Sequence, residues 1–403
     1  MEEYSVEQGS IIKLLPGEYE IFNSILEKKG IRIADKNFDR DFIQLPQAYV
    51  GYIGLENRKI KIKSKMQDLE LEHILRMYYL VYFNNEVDFG ESIFDLTKDN
   101  TDSIIDFYIN ELIEVLKVGL PVEYIAEIDE SEFIRGKMDI NKSIMNLRKY
   151  SNTPFVCEFD NLSRNVEINQ LLYTAYIKIE HLVDDSIKGF ISRGFQNVSR
   201  INRISQKPII NRKIKYCEKA VLLAYMILND LTVSGIGESK FSENLLIDID
   251  RLFEQFVQRV LISYSGDDKF IFWDFKHKYG EYYQDKRKLE KEYAPDLLYN
   301  YRKEISKEKA SCVLDMKNKT SAPFNSSDVY QMCFYATMLD SNKVILCYPS
   351  TIDTESTKLN IFNDGIKLEN IYAVYINLTG DTSDEFMANL QKFTNEIFRV
   401  IDL

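Results

Sequence analysis

The sequence predicts an α/β protein of more than one domain: a mixed N-terminal part, a helical middle region and a C-terminal α/β core. Three observations carry this. Apolar and charged residues alternate in "YVGYIGLENRKIKIKSKM" (49–66), as along half-exposed strands. Helical spacing of apolar residues takes over in "LEHILRMYYLVYF" (71–83) and "SIIDFYINELIEVLKVGL" (103–120). Beyond about residue 245 the order becomes helix, several strands, helix, strand, strand, helix, which suits a mixed sheet covered by helices.

In chain order, the first strand segment turns at Glu56–Asn57. After the two helices comes "EFIRGKMDINKSI" (132–144). The stretch 154–183 then begins as a strand and becomes a long helix after a polar turn, and a further helix occupies roughly 215–230. The polar, glycine-containing "NDLTVSGIGESKFSEN" (229–244) is the best domain boundary, dividing 1–240 from 241–403. The second part predicts a helix at about 247–264 with a buried stripe of Leu252, Phe253, Phe256, Val257, Val260 and Leu261. "KFIFWDF", two short apolar runs, a helix at 327–339, "KVILCYP", "IYAVYINL" and an amphipathic helix over roughly 382–400 complete it. No internal repeat is evident.

Composition narrows the function classes. At 403 residues, 45% apolar and 28% charged, the chain has an ordinary globular make-up with room for two or three cores. Its acidic start, "MEEYSVEQGS", is unlike a secretory signal, and "AVLLAYMIL" (220–228) is too short to span a bilayer. Five scattered cysteines without a C-x-x-C pair suggest reduced thiols in a cytoplasmic protein and exclude an ordinary cysteine-bound zinc or iron–sulfur site. Three distant histidines leave any metal to oxygen ligands, which suits Mg²⁺ or Mn²⁺.

A net charge of −12 argues against coating nucleic acid by bulk electrostatics, though not against a local basic groove. Residues 193–219 hold eight Lys/Arg and one Glu; a solvated connector and a phosphate- or partner-contacting surface are equally open readings. No G-x-x-x-x-G-K-[ST] is present, so any nucleotide hydrolysis belongs to another chain.

The chemistry concentrates in "EYAPDLLYN" (292–300) and "CVLDMKNKT" (312–320), each an apolar run pausing on an acid. The polar stretch between them reads as a hairpin-type connection, so Asp296 and Asp315 fall at neighbouring strand ends. Residues i and i+2 share a strand face, which turns Lys317 the same way as Asp315. Two carboxylates repel each other, and a divalent cation resolves the conflict; it can polarise a phosphoryl oxygen and acidify a water. An adjacent ammonium can orient that water or stabilise the transition state. Glu254 borders the buried stripe of the preceding helix. Gln331 and Tyr335 lie one turn apart on the following helix, where the glutamine can hold the lysine or a water and the tyrosine can pack against either. Singly, each of these is more often an ordinary turn, strand or helix residue; order and spacing together raise them above that.

The set Glu254, Pro295-Asp296, Asp315-x-Lys317 and Gln331-x-x-x-Tyr335 resembles the PD-(D/E)xK nuclease superfamily in its Q-x-x-x-Y variant. Together with "GYIGLENRKIKIKSKM", "IRGKMDI" (around Arg135-Gly136) and "CEFDNLSRNVEINQLL" (around Asn169), most of the chain resembles the McrC family, the nuclease subunit of McrBC-type antiviral restriction systems. The resemblance implies a restriction-endonuclease-like α/β core over 241–403. It implies Asp296, Asp315, Glu254 and the Met316 carbonyl as Mg²⁺ ligands, Lys317 acting on the water and Gln331 positioning the lysine or phosphate. It further implies a McrB-like AAA+ GTPase hexamer as partner, docked on the N-terminal half, double-stranded and modified DNA as substrate, and no membrane. The loop 318–328 is expected to move without substrate. A stand-alone PD-(D/E)xK repair nuclease and a non-catalytic assembly factor are the alternatives.

Overall fold

The computed structural model describes residues 2–31, 42–55, 58–66, 69–82, 104–149, 152–201, 210–236, 240–272, 277–284, 287–303, 308–319, 322–362 and 368–402. The expected turn at Glu56–Asn57 and the centre of the basic stretch (202–209) lie outside them.

The chain divides into two compact units, one made of 1–100 with 230–403, the other of 101–229. This corrects the boundary expected at 240. The first unit begins with β1 (Glu2–Glu7), β2 (Ile11–Lys13), α1 (Glu18–Lys28), β3 (Phe42–Gln44), β4 (Tyr49–Gly54), β5 (Arg58–Lys63) and α2 (Leu71–Tyr82). The second contains α3 (Ile104–Val118), β6 (Glu123–Ser131), β7 (Lys137–Met138), α4 (Ile140–Arg148), β8 (Phe155–Ser163), α5 (Glu167–Ile179), α6 (Asp185–Gly194) and α7 (Glu218–Asn229).

The chain then returns to the first unit with β9 (Leu231–Ile236) and β10 (Lys240–Asp248). What read as a linker is an antiparallel hairpin whose second strand pairs with β4, giving a five-stranded sheet in the order β1-β5-β4-β10-β9. Buried Asn244 knits it: its side chain accepts from Gly54 N at 3.0 Å and donates to Thr232 O at 3.1 Å. Gly51, at φ +130°, crosses so close to β10 that a Cβ would lie 2.1 Å from Leu245 O, so only glycine serves there. Within this stretch residues 231–236 and 240–244 pair as strands and do not mark a break between domains.

The C-terminal core follows as expected. It runs α8 (Ile249–Arg259), β11 (Phe270–Phe272), β12 (His277–Gln284), β13 (Arg287–Tyr293), β14 (Leu297–Tyr299), β15 (Arg302–Lys303), β16 (Glu308–Lys309), β17 (Cys312–Met316), α9 (Ser326–Met338), β18 (Lys343–Ser350), β19 (Thr357–Asn360), β20 (Asn370–Asn377) and α10 (Ser383–Asp402). Its sheet has the order β11-β14-β17-β18-β20-β19, antiparallel at both edges and parallel across β17, β18 and β20. Strands covered on both faces read as continuous apolar runs, which is why "CVLDM" and "KVILCYPS" lack alternation.

Helix α8 buries the expected Leu252, Phe253, Phe256 and Val257, and a π-helical turn carries Val260 and Leu261 on into the core. Asp248 caps its N-terminus, accepting from Arg251 N at 3.0 Å. Across the sheet, α9 packs on β17 and β18, while α10 lies on β20 with Phe386 6.4 Å from Phe256. Among the described residues no helix is long and apolar enough to cross a membrane.

In the second unit α3, α5 and α7 pack on one another, and β6, β8 and β7 form an antiparallel sheet. Gly136 sits at φ +72°, where a Cβ would come within 2.4 Å of Glu158 O; Arg135 lies over the Phe159 ring at 4.0 Å. Buried Asn169 donates to Pro121 O at 2.8 Å and Arg164 O at 2.7 Å. These residues, which give the sequence its family look, hold local structure. The ends of the basic stretch are the last turn of α6 and a 3₁₀ turn, Arg212–Cys217, on which Arg212, Lys213 and Lys215 are exposed.

Candidate active site

Register builds the site. Strands β14 and β17 pair antiparallel with Leu297 opposite Leu314, so one step further brings Asp296 and Asp315 to adjacent positions at the sheet rim. The Met316 N–H donates to Asp296 Oδ2 at 2.7 Å, closing the step. Met316, whose carbonyl is expected as a ligand, thus also fixes Asp296 through its N–H. Asp315 is only 2% exposed, and its Oδ2 forms an ion pair with the Lys317 ammonium. Alternation along the strand end produces this pairing, as the i, i+2 spacing predicts.

Helix α9 supplies the next layer. Lys317 Nζ donates to Gln331 Oε1 at 3.0 Å, Gln331 Nε2 donates to the Tyr335 hydroxyl at 2.8 Å, and that hydroxyl donates to Ala294 O at 3.2 Å. The chain of bonds leaves the lysine, crosses one helical turn and returns to the backbone two residues before Asp296. Asn325 starts the helix by accepting from Ser327 N at 3.1 Å.

From the other side, Glu254 is half-buried and its Oε1 accepts from Gln258 Nε2 at 3.1 Å; the same amide donates to Asp296 O at 3.0 Å. Gln258 escaped the sequence reading, although its place one turn beyond Glu254 was a usable signal. Asp250, one turn before Glu254, accepts from Asn318 Nδ2 at 2.8 Å. Positions 250, 254 and 258 thus form a polar edge on α8 beside the strand ends. Lys319 was missed too: it donates to both oxygens of buried Asp328, at 2.7 and 2.8 Å, tying the start of the 318–328 loop to α9. Residues 320–321 of that loop lie outside the described residues.

The charges are held under strain. Burial, then repulsion from Asp315 and Glu254, pushes Asp296 up to about 8. Burial raises Asp315 as well, against the pull of Lys317. Glu254 is raised by burial and by Asp315. For Lys317, burial works against the charge, but Asp315, Asp296 and Asp328 together hold its pKa above the usual lysine value. Three acids crowded around one ammonium make a cluster whose carboxylates a cation would suit. Among the described residues no three His, Cys, Asp or Glu side chains form a ready cage. The donor set that fits a cation is the Asp296–Asp315 pair with Glu254 nearby, all hard oxygen ligands of the kind Mg²⁺ takes.

Residues 45–349 match the model of the McrBC 5-methylcytosine restriction system component. This chain belongs to the McrBC family. The match spans both units and bears out the resemblance read from the sequence. Among solved structures, a chain of the Thermococcus gammatolerans assembly of McrB AAA+ hexamers with bound McrC is 18% identical with a TM-score of 0.54; the alignment covers 99% of this chain and 100% of that one. A chain of the cryo-EM McrBC complex from the same organism is 17% identical with a TM-score of 0.40, over 66% of this chain and 88% of that one. No curated protein matches. The McrBC-family chain therefore shares its fold with a component of such an assembly.

Proposed function

We propose that this chain is the nuclease subunit, McrC-like, of an McrBC-type restriction complex: a Mg²⁺-dependent endodeoxyribonuclease acting with an AAA+ GTPase hexamer on modified double-stranded DNA. The observation that carries the reading is the convergence of Asp296, Asp315 and Lys317 at one sheet rim, with Gln331 fixing the lysine. A cation held by Asp296, Asp315 and Glu254 would neutralise charge on the scissile phosphate and acidify the attacking water. Lys317 orients that water or meets the charge growing on the phosphate oxygens. Gln331 and Tyr335 keep the ammonium from swinging away, and Gln258 sets both Glu254 and the Asp296 backbone.

Partner docking has support in the second unit. Tyr124 and Ile128 on β6, Phe133 and Ile134 after it, and Ile140, Ile144 and Leu147 on α4 are all exposed. The α4 residues recur at i, i+4 and i+7, an apolar stripe with nothing from this chain over it among the described residues. The resembled assembly is described as McrB hexamers with bound McrC, so an AAA+ hexamer is the occupant we assign. The five free cysteines fit a reducing, cytoplasmic setting.

The test is cleavage of methylated duplex DNA by the full-length chain with its GTPase partner and Mg²⁺. Asp315→Ala and Lys317→Ala should each cut activity on the order of 10³-fold or more while still stimulating GTP hydrolysis. Wild-type rates from both variants would refute the site. GTP-independent cutting by the chain alone favours the repair-nuclease alternative, and stimulation without any cutting favours the assembly factor.

A further inference from the structure

Strands β12 and β13 form a two-stranded ribbon separate from both large sheets. All its described residues are exposed except His277 and Tyr293 at the base. Its length, about 23 Å at the usual strand rise, exceeds what a surface turn needs. It leads straight into the candidate site, because only Ala294 and Pro295 separate it from Asp296.

The pairing register sorts its side chains into two unlike faces. Gln284 stands opposite Arg287, Tyr282 opposite Leu289, and Gly280 opposite Lys291; beyond the irregularity at Tyr279, His277 stands opposite Tyr293. Among the described residues the ribbon itself puts no carboxylate on this face; Glu308 meets His277 at its base, 3.2 Å away, and no acid pairs with the outer part. Lys291 lies over the Tyr282 ring at 5.3 Å, and Arg287 is paired with no acid among the described residues. All three glutamates, Glu281, Glu290 and Glu292, fall on the other face. There Lys278 meets Glu290 and Lys288 meets Glu281, each at 2.5 Å.

The base of the Tyr282 face is anchored to the site helix. The Tyr293 ring packs 6.0 Å from Tyr335 and edge-on to Phe334 at 5.8 Å, with Tyr279 against Phe334 at 4.9 Å. Tyr335 is the residue whose hydroxyl supports Gln331. The ribbon and the Lys317 network therefore share one aromatic joint.

We infer that the β12–β13 ribbon is a DNA-contacting arm of the nuclease, its Tyr282–Gln284–Arg287–Lys291 face lying on the sugar-phosphate backbone of the duplex to be cut. The inference rests on the nuclease reading given above and adds the surface that holds the substrate. In a chain of net charge −12, an outer face with two cations, an amide, an aromatic ring and, among its described residues, no acid is suited to phosphate. A two-stranded ribbon also has the dimensions a duplex groove accepts. Pairing on the opposite face spends its lysines on glutamates, so only one side is complementary to DNA.

The experiment is fluorescence-anisotropy binding of a 30-base-pair duplex by the full-length chain, with Ca²⁺ replacing Mg²⁺ to suppress turnover, across a KCl series. The Arg287→Ala/Lys291→Ala double variant should bind on the order of tenfold more weakly and lose roughly 2 units of log–log salt slope, about 0.9 per phosphate contact. Lys278→Ala/Lys288→Ala on the other face should stay within about twofold of wild type. Thermal melting of both variants checks folding. Wild-type affinity and slope in the first double variant, or equal losses in both, overturn the arm while leaving the nuclease reading intact. A wild-type chain that neither binds nor cuts duplex DNA overturns both. Intact DNA binding with lost capture of the GTPase hexamer would reassign the ribbon to the partner and overturn the inference.

Discussion

Asp296 stands beside Asp315 because Leu297 is paired with Leu314, and the last ladder step delivers two acids to the same rim. Neither carboxylate is comfortable there, and most of what the site is expected to do follows from that crowding.

Stability should depend on pH in an unusual direction when EDTA keeps cations away. Asp296 titrates near 4 in an unfolded chain and at about 8 when folded. Between those values the folded protein holds the extra proton, so stability falls as pH rises from about 4 to 8. Asp315 and Glu254 are shifted the same way. Asp296→Asn should flatten this slope and raise stability at pH 8 by roughly 2–5 kcal/mol. Urea denaturation of both proteins at pH 5, 6.5 and 8 reads it; parallel curves would contradict the repulsion.

Gln331 acts through Lys317. Gln331→Ala should lower the cleavage rate by roughly 10–100-fold with little change in duplex affinity, since the ammonium loses its anchor and not its charge. Tyr335→Phe removes the hydroxyl that accepts from Gln331 and donates to Ala294 O but keeps the Lys317–Gln331 bond, so a loss of about 1–2 kcal/mol in stability and a few-fold in rate is expected. Single-turnover kinetics separate the two; a Gln331→Ala variant that weakens binding alone would assign it to the DNA.

The α4 stripe should behave as an interface. Ile144→Glu combined with Phe133→Ser should abolish co-purification with a GTP-loaded AAA+ hexamer, because a buried charge replaces an apolar anchor. Melting temperature should hardly move, since both side chains are exposed. Point variants are the sound test: removing residues 1–240 would take β1, β4, β5 and β9, four of the five strands, from the first sheet. An undiminished complex would place docking elsewhere.

Asn169→Ala should destabilise the second unit by about 1–3 kcal/mol, having removed the buried donor that both Pro121 O and Arg164 O accept from. DNA cleavage at low temperature should be unaffected. A selective loss of cleavage with unchanged stability would give Asn169 a role beyond structure.

The helices and the buried strands were legible because their side chains face a core, and burial imprints a period on sequence. The stripe Leu252–Phe253–Phe256–Val257 and the unbroken "CVLDM" each announce the surface they meet. The ribbon at 277–293 was not legible: with both faces in water, "HKYGEYYQ" and "RKLEKEY" carry no apolar alternation. The hairpin at 231–248 was mistaken for a linker because its strength lies in pairing with β4, nearly two hundred residues away.

By itself the sequence determined the helices and the buried strands of the C-terminal core and named Glu254, Asp296, Asp315, Lys317, Gln331 and Tyr335 as candidates. Residue type and spacing are local properties that a chain carries before it folds. Only the tertiary structure decided that residues 1–100 join 230–403, that Gln258 bridges Glu254 to Asp296, and that the ribbon's three described glutamates share one face. Those facts depend on strand register and on contacts between distant segments, and neither is written in any short window of residues.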